Sequence, residues 1–294
     1  MFGRLLAGLC LLAAAAAVGA HPPRGIAVSP DGRVYFSDLE RIWMIGPGGR
    51  LSIVREAGDR HTHEIAVDGD GNLYGEDATY EPGRETYLAS VWKLGPDRRF
   101  SFVHGPTRTP ARGIGVCRDR RGCTHLADRT AADELLLYRR CPGARAELLV
   151  GTPTAARSHR VVLLSNIGGA ALGPDQSFYF RHGNLIRRAR AGGRVVMVTD
   201  RVSNENFGIA VDREGVVHAA EYRNRRVVRI GLDGRRTIAL TSRGPWAPTG
   251  IAVGSGRLHA LEVTDPQAGA PTRFRVRRVT RDGRAETIAQ LPTR

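Results

Sequence analysis

Histidine and carboxylate residues concentrate in one part of the sequence, and the members that could do chemistry are His63, Glu64, Glu76 and Asp77. Imidazole nitrogens and carboxylate oxygens are suitable ligands for Ca²⁺, Mn²⁺ or Zn²⁺, and a bound cation would offset the repulsion between the carboxylates. Such groups also act as general acids and bases. We therefore predict a divalent-cation site formed by these four residues, with His63, Glu64 and Glu76 as candidate catalytic residues. The alternative is a solvated acidic rim that holds no ligand.

These residues belong to a unit that recurs six times along the chain. Segments that resemble Gly-Ile-Ala-Val begin at Gly25, Glu64, Gly113, Gly169, Gly208 and Gly250. Each is followed by a second short apolar run that ends in Asp38, Asp77, Asp128, His182, Glu221 or Glu262. Repeats of about 40–55 residues with four strands each are typical of propellers. The sequence predicts an all-β, six-bladed β-propeller with four antiparallel strands per blade, forming one domain over residues 21–294.

One rim of such a propeller gathers the polar residues of all the repeats. The first strand of each blade starts, and the second strand ends, at the same mouth of the central channel. We therefore predict that Asp77, His182, Asn206 and Glu221 bind a ligand at this mouth. The structural alternative is that the acidic residues accept backbone N–H bonds from the turn that follows them.

The second repeat departs from the others in three ways. Glu64 replaces the glycine of the other openings, and Gly75 stands where Phe36 and Phe180 stand in repeats one and four. Residues 78–89 are predicted to add a polar loop on the same rim. These departures favour a functional cluster in the second repeat, with space opened by Gly75.

Other conspicuous side chains are predicted to pack between blades. One repeat position alternates between histidine and tyrosine, as His125, His218, His259, Tyr35, Tyr74 and Tyr179. Each ring is expected to be buried with its polar tip hydrogen-bonded. Trp43 and Trp92 occupy equivalent third-strand positions and are also expected to pack between blades.

Residues 1–20 have the pattern of a cleaved signal peptide. Arg4 precedes an apolar run from Leu5 to Val18, and small residues follow up to Ala20. The run is too short for a membrane span, which needs about 20 apolar residues. The protein is therefore expected to be exported to the periplasm or secreted, with no membrane span.

Three cysteines remain after this leader, Cys117, Cys123 and Cys141. In an oxidising compartment one pair could form a disulfide bond and leave one free thiol. Cys117 and Cys123 flank a predicted hairpin turn, whereas Cys141 lies at the next turn on the same side. Both pairings with Cys123 remain open.

The formal net charge of +15 invites a nucleic-acid interpretation. However, Lys93 is the only lysine, and the arginines are spread over every repeat with no aromatic residues between them. A uniform basic coat mainly keeps a protein soluble. We expect no specific nucleic-acid partner and a monomeric protein.

The segment 208–234, GIAVDREGVVHAAEYRNRRVVRIGLDG, resembles an NHL repeat. The six-fold array resembles the NHL and senescence-marker-protein/gluconolactonase group of six-bladed propellers. This resemblance implies the fold, and the group includes lactonases, lyases and binding platforms.

The gluconolactonases of this group hold a divalent ion with a Glu at one strand start and with Asn or Asp directly before the glycine of later repeats. Glu64 matches the first of these positions. The residues before glycine are Arg24, Arg112, Phe207 and Thr249, so the remainder of that pattern is missing. Asn206 lies one residue too early.

Two functions follow from the sequence. The first is an exported binding scaffold for a small polar ligand, or for a protein or peptide, with a polar site at the channel mouth. The rim connections 78–89, 153–166 and 264–274 would supply its contact surface. The alternative is a metal-dependent hydrolase or lyase, resembling a lactonase, that acts on a small polar substrate.

Overall fold

The computed structural model describes most of the chain after residue 21. The described residues are 22–84, 86–109, 117–118, 123–129, 135–141, 143–151, 167–182, 184–190, 195–200, 202–203, 206–264, 271–280 and 282–292. They form 24 strands and one short 3₁₀ helix (Pro82–Arg84). No helix in these ranges is long and apolar enough to cross a membrane.

The strands form six four-stranded sheets, each made from consecutive strands. Sheet 1 contains β1 (Ile26–Val28), β2 (Val34–Ser37), β3 (Arg41–Ile45) and β4 (Leu51–Glu56). Sheet 2 contains β5 (His61–Val67), β6 (Leu73–Glu81), β7 (Thr86–Leu94) and β8 (Phe100–Thr109). Sheet 3 contains β9 (Cys117–Arg118), β10 (Thr124–Arg129), β11 (Leu135–Arg140) and β12 (Glu147–Val150).

The second half of the chain repeats this organisation. Sheet 4 contains β13 (Ile167–Leu172), β14 (Phe178–His182), β15 (Leu185–Ala189) and β16 (Val196–Thr199). Sheet 5 contains β17 (Asn206–Val211), β18 (Val217–Glu221), β19 (Arg226–Ile230) and β20 (Arg236–Thr241). Sheet 6 contains β21 (Trp246–Gly254), β22 (Arg257–Thr264), β23 (Phe274–Val279) and β24 (Ala285–Gln290).

The first strands of the sheets enclose a central channel. Each of β1, β5, β9, β13, β17 and β21 contacts the first strand of the next sheet, and β21 contacts β1. All strand pairs inside the sheets are antiparallel. The prediction of an all-β propeller built from four-stranded antiparallel sheets is therefore confirmed.

The two ends of the channel differ in what they carry. We call the end where the first strands begin the channel rim, since the ends of the second strands also lie there. The opposite end carries the turns between strands one and two and between strands three and four, and we call it the turn rim. Glycines with positive φ, among them Gly32, Gly49, Gly215 and Gly234, occupy these turns.

The hydrophobic core lies between neighbouring sheets. The cluster that joins sheets 6 and 1 includes Ile26, Phe36 and Leu261, with Trp43 packed against it. Trp92 is fully buried and packs in the cluster between sheets 1 and 2. The prediction that these two tryptophans pack between neighbouring units is confirmed.

Two expectations for the second repeat are wrong. Residues 78–89 do not form a loop, because β6 continues to Glu81, β7 begins at Thr86 and the 3₁₀ turn joins them. Gly75 does not open space, because the indole of its cross-strand partner Trp92 lies where a Cβ on Gly75 would be. The other two long connections, 153–166 and 264–274, lie largely outside the described residues.

A disulfide bond joins Cys123 to Cys141. It links the beginning of β10 to the end of β11, two strands that pair along their length. In the register of sheet 3, Cys117 lies opposite His125 rather than opposite Cys123. The structure therefore selects the second of the two predicted pairings.

Candidate functional site

An ion pair between two sheets stands at the channel rim. The Arg24 guanidinium, just before β1, lies 2.9 Å from Glu64 Oε1 in β5. The side chains keep 28% and 25% of their exposure, so solvent reaches both partners. The residue that departs from the glycine of the other repeats is therefore held at the channel rim by a cation of the neighbouring sheet.

A second carboxylate lies beside this pair. Glu64 and Glu76 are direct cross-strand partners, next to a register shift between Thr62 and Glu64. Glu76 is only 1% exposed, whereas Glu64 is partly exposed. Like charges at opposed positions repel, so Arg24 offsets part of the cost of placing these two side chains together.

His63 is partly buried at the same rim. Its ring lies 6.0 Å from the ring of His61 in an edge-on arrangement. The structure thus places His63 and Glu64 at the channel rim and Glu76 directly beside them, as the sequence predicted. It does not give Asp77 the same surroundings.

Asp77 is fully buried and surrounded by hydrogen-bond donors. Thr62 Oγ1 donates to Asp77 Oδ1 at 2.7 Å, and the Trp92 indole donates to the same oxygen at 2.8 Å. Arg55 of sheet 1 forms an ion pair with Asp77 and stacks over the Trp92 ring, 4.4 Å from its centroid. Both oxygens are therefore committed to joining sheets 1 and 2.

The equivalent acidic residues of other sheets are anchored similarly. Asp38 accepts the backbone N–H of Arg41 at 2.7 Å and the Trp43 indole N–H at 2.8 Å. Glu221 is paired with Arg226, and Glu262 is paired with Arg275. The bond from the Arg41 N–H to Asp38 comes from the turn that follows the strand, as the structural alternative predicted. Glu221 and Glu262 are instead held by arginine side chains.

The predicted four-ligand metal set does not fit a cation. In the described part of the chain, no group of three or more His, Cys, Asp or Glu side chains is arranged to hold a metal ion. Asp77 shows the reason, because its oxygens face Arg55, Thr62 and Trp92. Glu64, in turn, faces the cationic Arg24.

Several predicted residues can be placed only by their backbone. His182 ends β14 opposite Ile167, and Asn206 begins β17 directly opposite Glu221. Both lie at the channel rim, as predicted. The two residues of repeats three and four that precede the openings, 112 and 166, lie outside the described ranges.

Sequence reasoning missed Arg181, a partly buried cation near the end of β14. Burial lowers its pKa from the ordinary arginine value, and the positive charge of Arg24 lowers this pKa further. The positive charges of Arg24 and Arg181 therefore repel each other. Arg181 occupies the repeat position of Ser37 and Glu76. The presence of a cation where other repeats have a small or an acidic residue could have identified Arg181 as a candidate site residue.

Two members of the position that alternates between histidine and tyrosine, Tyr74 and His218, have the predicted buried and hydrogen-bonded rings. Tyr74 donates its hydroxyl to Asp68 at 2.9 Å, and His218 lies 3.2 Å from Asp212 at the matching position. Burial lowers the pKa of His218, and burial lowers that of His259 to about 4. Neutral, buried rings of this kind serve packing rather than chemistry.

No protein-family model matches the sequence, and no curated protein is similar enough to count as a relative. Solved structures, in contrast, share the fold. A chain of the nidogen–laminin complex is 14% identical, with 88% of this chain and 92% of that chain covered and a TM-score of 0.59.

Two further structures with enzymatic descriptions are similar. A gluconolactonase of Xanthomonas campestris is 16% identical, covering 81% of this chain and 82% of its own at a TM-score of 0.52. A putative glucose dehydrogenase of Thermus thermophilus is 17% identical. The match covers 88% of this chain and 97% of that chain, with a TM-score of 0.53. At such identities the likeness shows the propeller fold alone, which serves both enzymes and binding proteins.

Proposed function

We propose that this chain is an exported six-bladed propeller of the NHL and senescence-marker-protein/gluconolactonase type that binds a small polar ligand at its channel rim. The signal-peptide pattern of residues 1–20 supports export. The Cys123–Cys141 bond also fits an oxidising compartment.

The observation that carries the proposal is the partly exposed ion pair between Arg24 and Glu64. The equivalent opening is Gly-Ile-Ala-Val in sheets 1, 5 and 6 and is uncharged in sheets 3 and 4 as well, so the charged Glu64 is the exception. Solvent-exposed pairs add about 1 kcal/mol or less to stability. A contribution to stability is therefore a poor explanation for the charges of Arg24 and Glu64 at the channel rim.

The charges at the rim define the class of ligand. Arg24 lies close enough to Arg181 for its positive charge to lower the pKa of Arg181. An anionic group placed at the rim would be attracted by both guanidinium groups, and arginine binds carboxylates through two parallel N–H bonds. Glu64 would accept bonds from hydroxyl groups. The proposed ligand is a small hydroxylated carboxylate.

Isothermal titration calorimetry with gluconate as the probe tests this proposal. Arg24→Gln should weaken gluconate binding by about 10- to 100-fold, because a hydrogen bond to a charged group contributes about 1.5–3 kcal/mol. Arg41→Gln is the matched control, since Arg41 forms an ion pair of 3.3 Å with Glu56 in the same sheet. Equal affinity in both variants, or no heat with the unaltered protein, would contradict the proposal.

The enzymatic alternative, a hydrolase or lyase, is favoured by one observation. Glu76 is buried beside the more exposed Glu64, and two carboxylates in unequal surroundings can divide the roles of acid and base. Hydrolysis of glucono-lactone that disappears in Glu76→Gln, while gluconate binding persists, would support it. Glu64 and Asp77 face Arg24 and Arg55, so this alternative uses the two carboxylates without a metal ion.

A further inference from the structure

The turns between strands three and four carry arginine at one position in every repeat. These residues are Arg50, Arg99, Arg145, Arg194, Arg235 and Arg284, and Arg194 lies outside the described ranges. The backbone fixes the position in four of them: the carbonyls of Arg50, Arg99, Arg235 and Arg284 accept an N–H from the residue four positions earlier at 2.9–3.0 Å. The described turns lie at the turn rim, opposite the channel rim, and we call their arginines the arginine ring.

The side chains of the arginine ring project into solvent. Those of Arg99, Arg235 and Arg284 are 90%, 89% and 88% exposed. An aspartate two residues earlier shapes each of these three turns, and its weak ion pair with the arginine adds little to stability. The fold therefore does not require a cation here.

The positive charge of the turn rim is only partly neutralised. The turns of Arg50 and Arg145 contain proline, glycine and alanine but no acidic residue. Arg98 adds a second cation beside Arg99, against the single carboxylate of Asp97. The turns of the arginine ring thus carry more arginines than carboxylates. The turns between strands one and two add carboxylates to the same rim, namely Asp31, Asp70, Asp175, Asp212 and Glu214, so the surplus of positive charge lies in the arginine ring itself.

Large apolar side chains are exposed at the same rim. Leu232, at the tip of the turn in sheet 5, is 76% exposed. Met197, near the beginning of β16, is 61% exposed. Apolar side chains and arginines therefore lie together on this face of the propeller.

We propose that the turn rim is a docking surface for the headgroup layer of an anionic phospholipid bilayer. Guanidinium groups match phosphate geometry through paired hydrogen bonds. A circle of cations in one plane suits a flat anionic surface, whereas a linear polyanion would contact only some of the turns at once. The exposed Leu232 and Met197 gain from entering the acyl boundary, which a soluble polyanion does not offer.

Vesicle co-sedimentation tests this surface, using protein that lacks residues 1–20 and retains every strand of the six sheets. Vesicles of equal phosphatidylglycerol and phosphatidylcholine should bind the protein at an ionic strength of about 0.05 M and release it at high salt. Vesicles of phosphatidylcholine alone should not bind it. Absence of binding to the anionic vesicles would overturn the proposal.

The variant that removes the arginine ring's most exposed members is Arg99→Gln with Arg235→Gln and Arg284→Gln. Each arginine near an anionic membrane contributes about five-fold in partitioning, so the triple variant should bind roughly 100-fold more weakly. The matched control replaces Arg84, Arg223 and Arg243, which are exposed on the opposite rim. Equal losses in the two triple variants would show a non-specific charge effect and overturn the proposal.

A second variant tests the apolar contribution independently. Leu232→Ser keeps the charge and should lower partitioning about ten-fold, since burying one leucine side chain contributes roughly 1.5–3 kcal/mol. Immobilised polyphosphate is the competing anion. Retention on polyphosphate that is unaffected by Leu232→Ser, together with absent vesicle binding, would assign the surface to a soluble polyanion instead.

Discussion

Gly250 lies so close to the backbone of Arg24 that a Cβ atom on Gly250 would overlap the Arg24 carbonyl oxygen. The same closeness recurs around the channel. A Cβ on Gly208 would lie 3.0 Å from the Ile251 nitrogen, and one on Gly25 would lie 3.2 Å from the His63 carbonyl oxygen. In these three sheets the glycine that opens the motif is therefore required by backbone contact between neighbouring first strands, whereas sheet 2 carries Glu64 at this position.

Replacing Gly250 by alanine should destabilise the protein. Backbone atoms of β1 and β21 would have to move apart, and overpacking of this kind costs about 1–3 kcal/mol. Urea denaturation measures the loss. Gly48→Ala is the control, because nothing lies within 4 Å of a Cβ at Gly48; similar losses in both variants would contradict the close-contact explanation.

Asp77→Asn should be strongly destabilising. The substitution leaves the Arg55 guanidinium without its buried counter-ion, and breaking a buried pair costs about 3–5 kcal/mol. Thermal and urea unfolding would measure the change. Glu56→Gln, in the exposed pair with Arg41, should cost less than about 1 kcal/mol.

An opposite result for Asp77 would revive its interpretation as a ligand residue. In that case Asp77→Asn would keep the unfolding midpoint and remove binding of a cation or of gluconate. The comparison with Glu56→Gln separates a buried structural charge from a surface one.

Acidification should destabilise the protein through His259. Burial lowers the pKa of this ring to about 4, with Arg278 and Arg257 adding to the effect, against 6.5 as the ordinary value. Between these two pKa values the His259 ring binds a proton in the unfolded chain but stays neutral in the folded protein. Stability is therefore complete above pH 6.5 and falls by roughly 3 kcal/mol as the pH drops to about 4.

His259→Tyr should flatten this dependence, since tyrosine stands at the matching position in three other repeats. Unfolding free energies at about pH 7 and about pH 4.5 would be compared for both proteins. His61→Tyr, at an exposed position, should keep the full dependence. An unchanged slope in His259→Tyr would assign the acid sensitivity to other groups.

Denatured, oxidised protein that lacks residues 1–20 should show one reactive thiol, that of Cys117. Cys123 and Cys141 are 18 residues apart, and closing a loop of this length raises the free energy of the unfolded state by about 3 kcal/mol, because it removes chain entropy. Cys141→Ser should therefore lower the unfolding midpoint, whereas Cys117→Ser should not. A linked peptide that contains Cys117 in non-reducing mass spectrometry would refute the pairing.

The strand order was predictable because its signals are local. Turns such as Asp31-Gly32 and Asp233-Gly234 place a glycine where φ is positive, at +83° and +75°. Each therefore joins two adjacent strands without help from the remainder of the chain. The channel rim was predictable for the same reason, since the direction of the strands fixes which ends meet there.

The surroundings of Asp77 were not predictable, because its partners come from other elements. Arg55 belongs to the preceding sheet, and Trp92 reaches Asp77 only through the space left by Gly75. The spacing of carboxylates along the chain carries no information on cations that pack across a sheet interface. The same limit explains why Arg181, which lies in a different sheet from Arg24, was missed.

Because each described sheet is built from consecutive strands, five sheet interfaces can form while the chain is still incomplete, but the contact of β1 with β21 cannot. That contact joins residues 26–28 to residues 246–254 and must close a loop that spans most of the chain. It is held by side-chain packing around Ile26, Phe36 and Leu261 rather than by a shared ladder of hydrogen bonds. We therefore expect ring closure to be the last step of folding and this seam to be the first to open on unfolding.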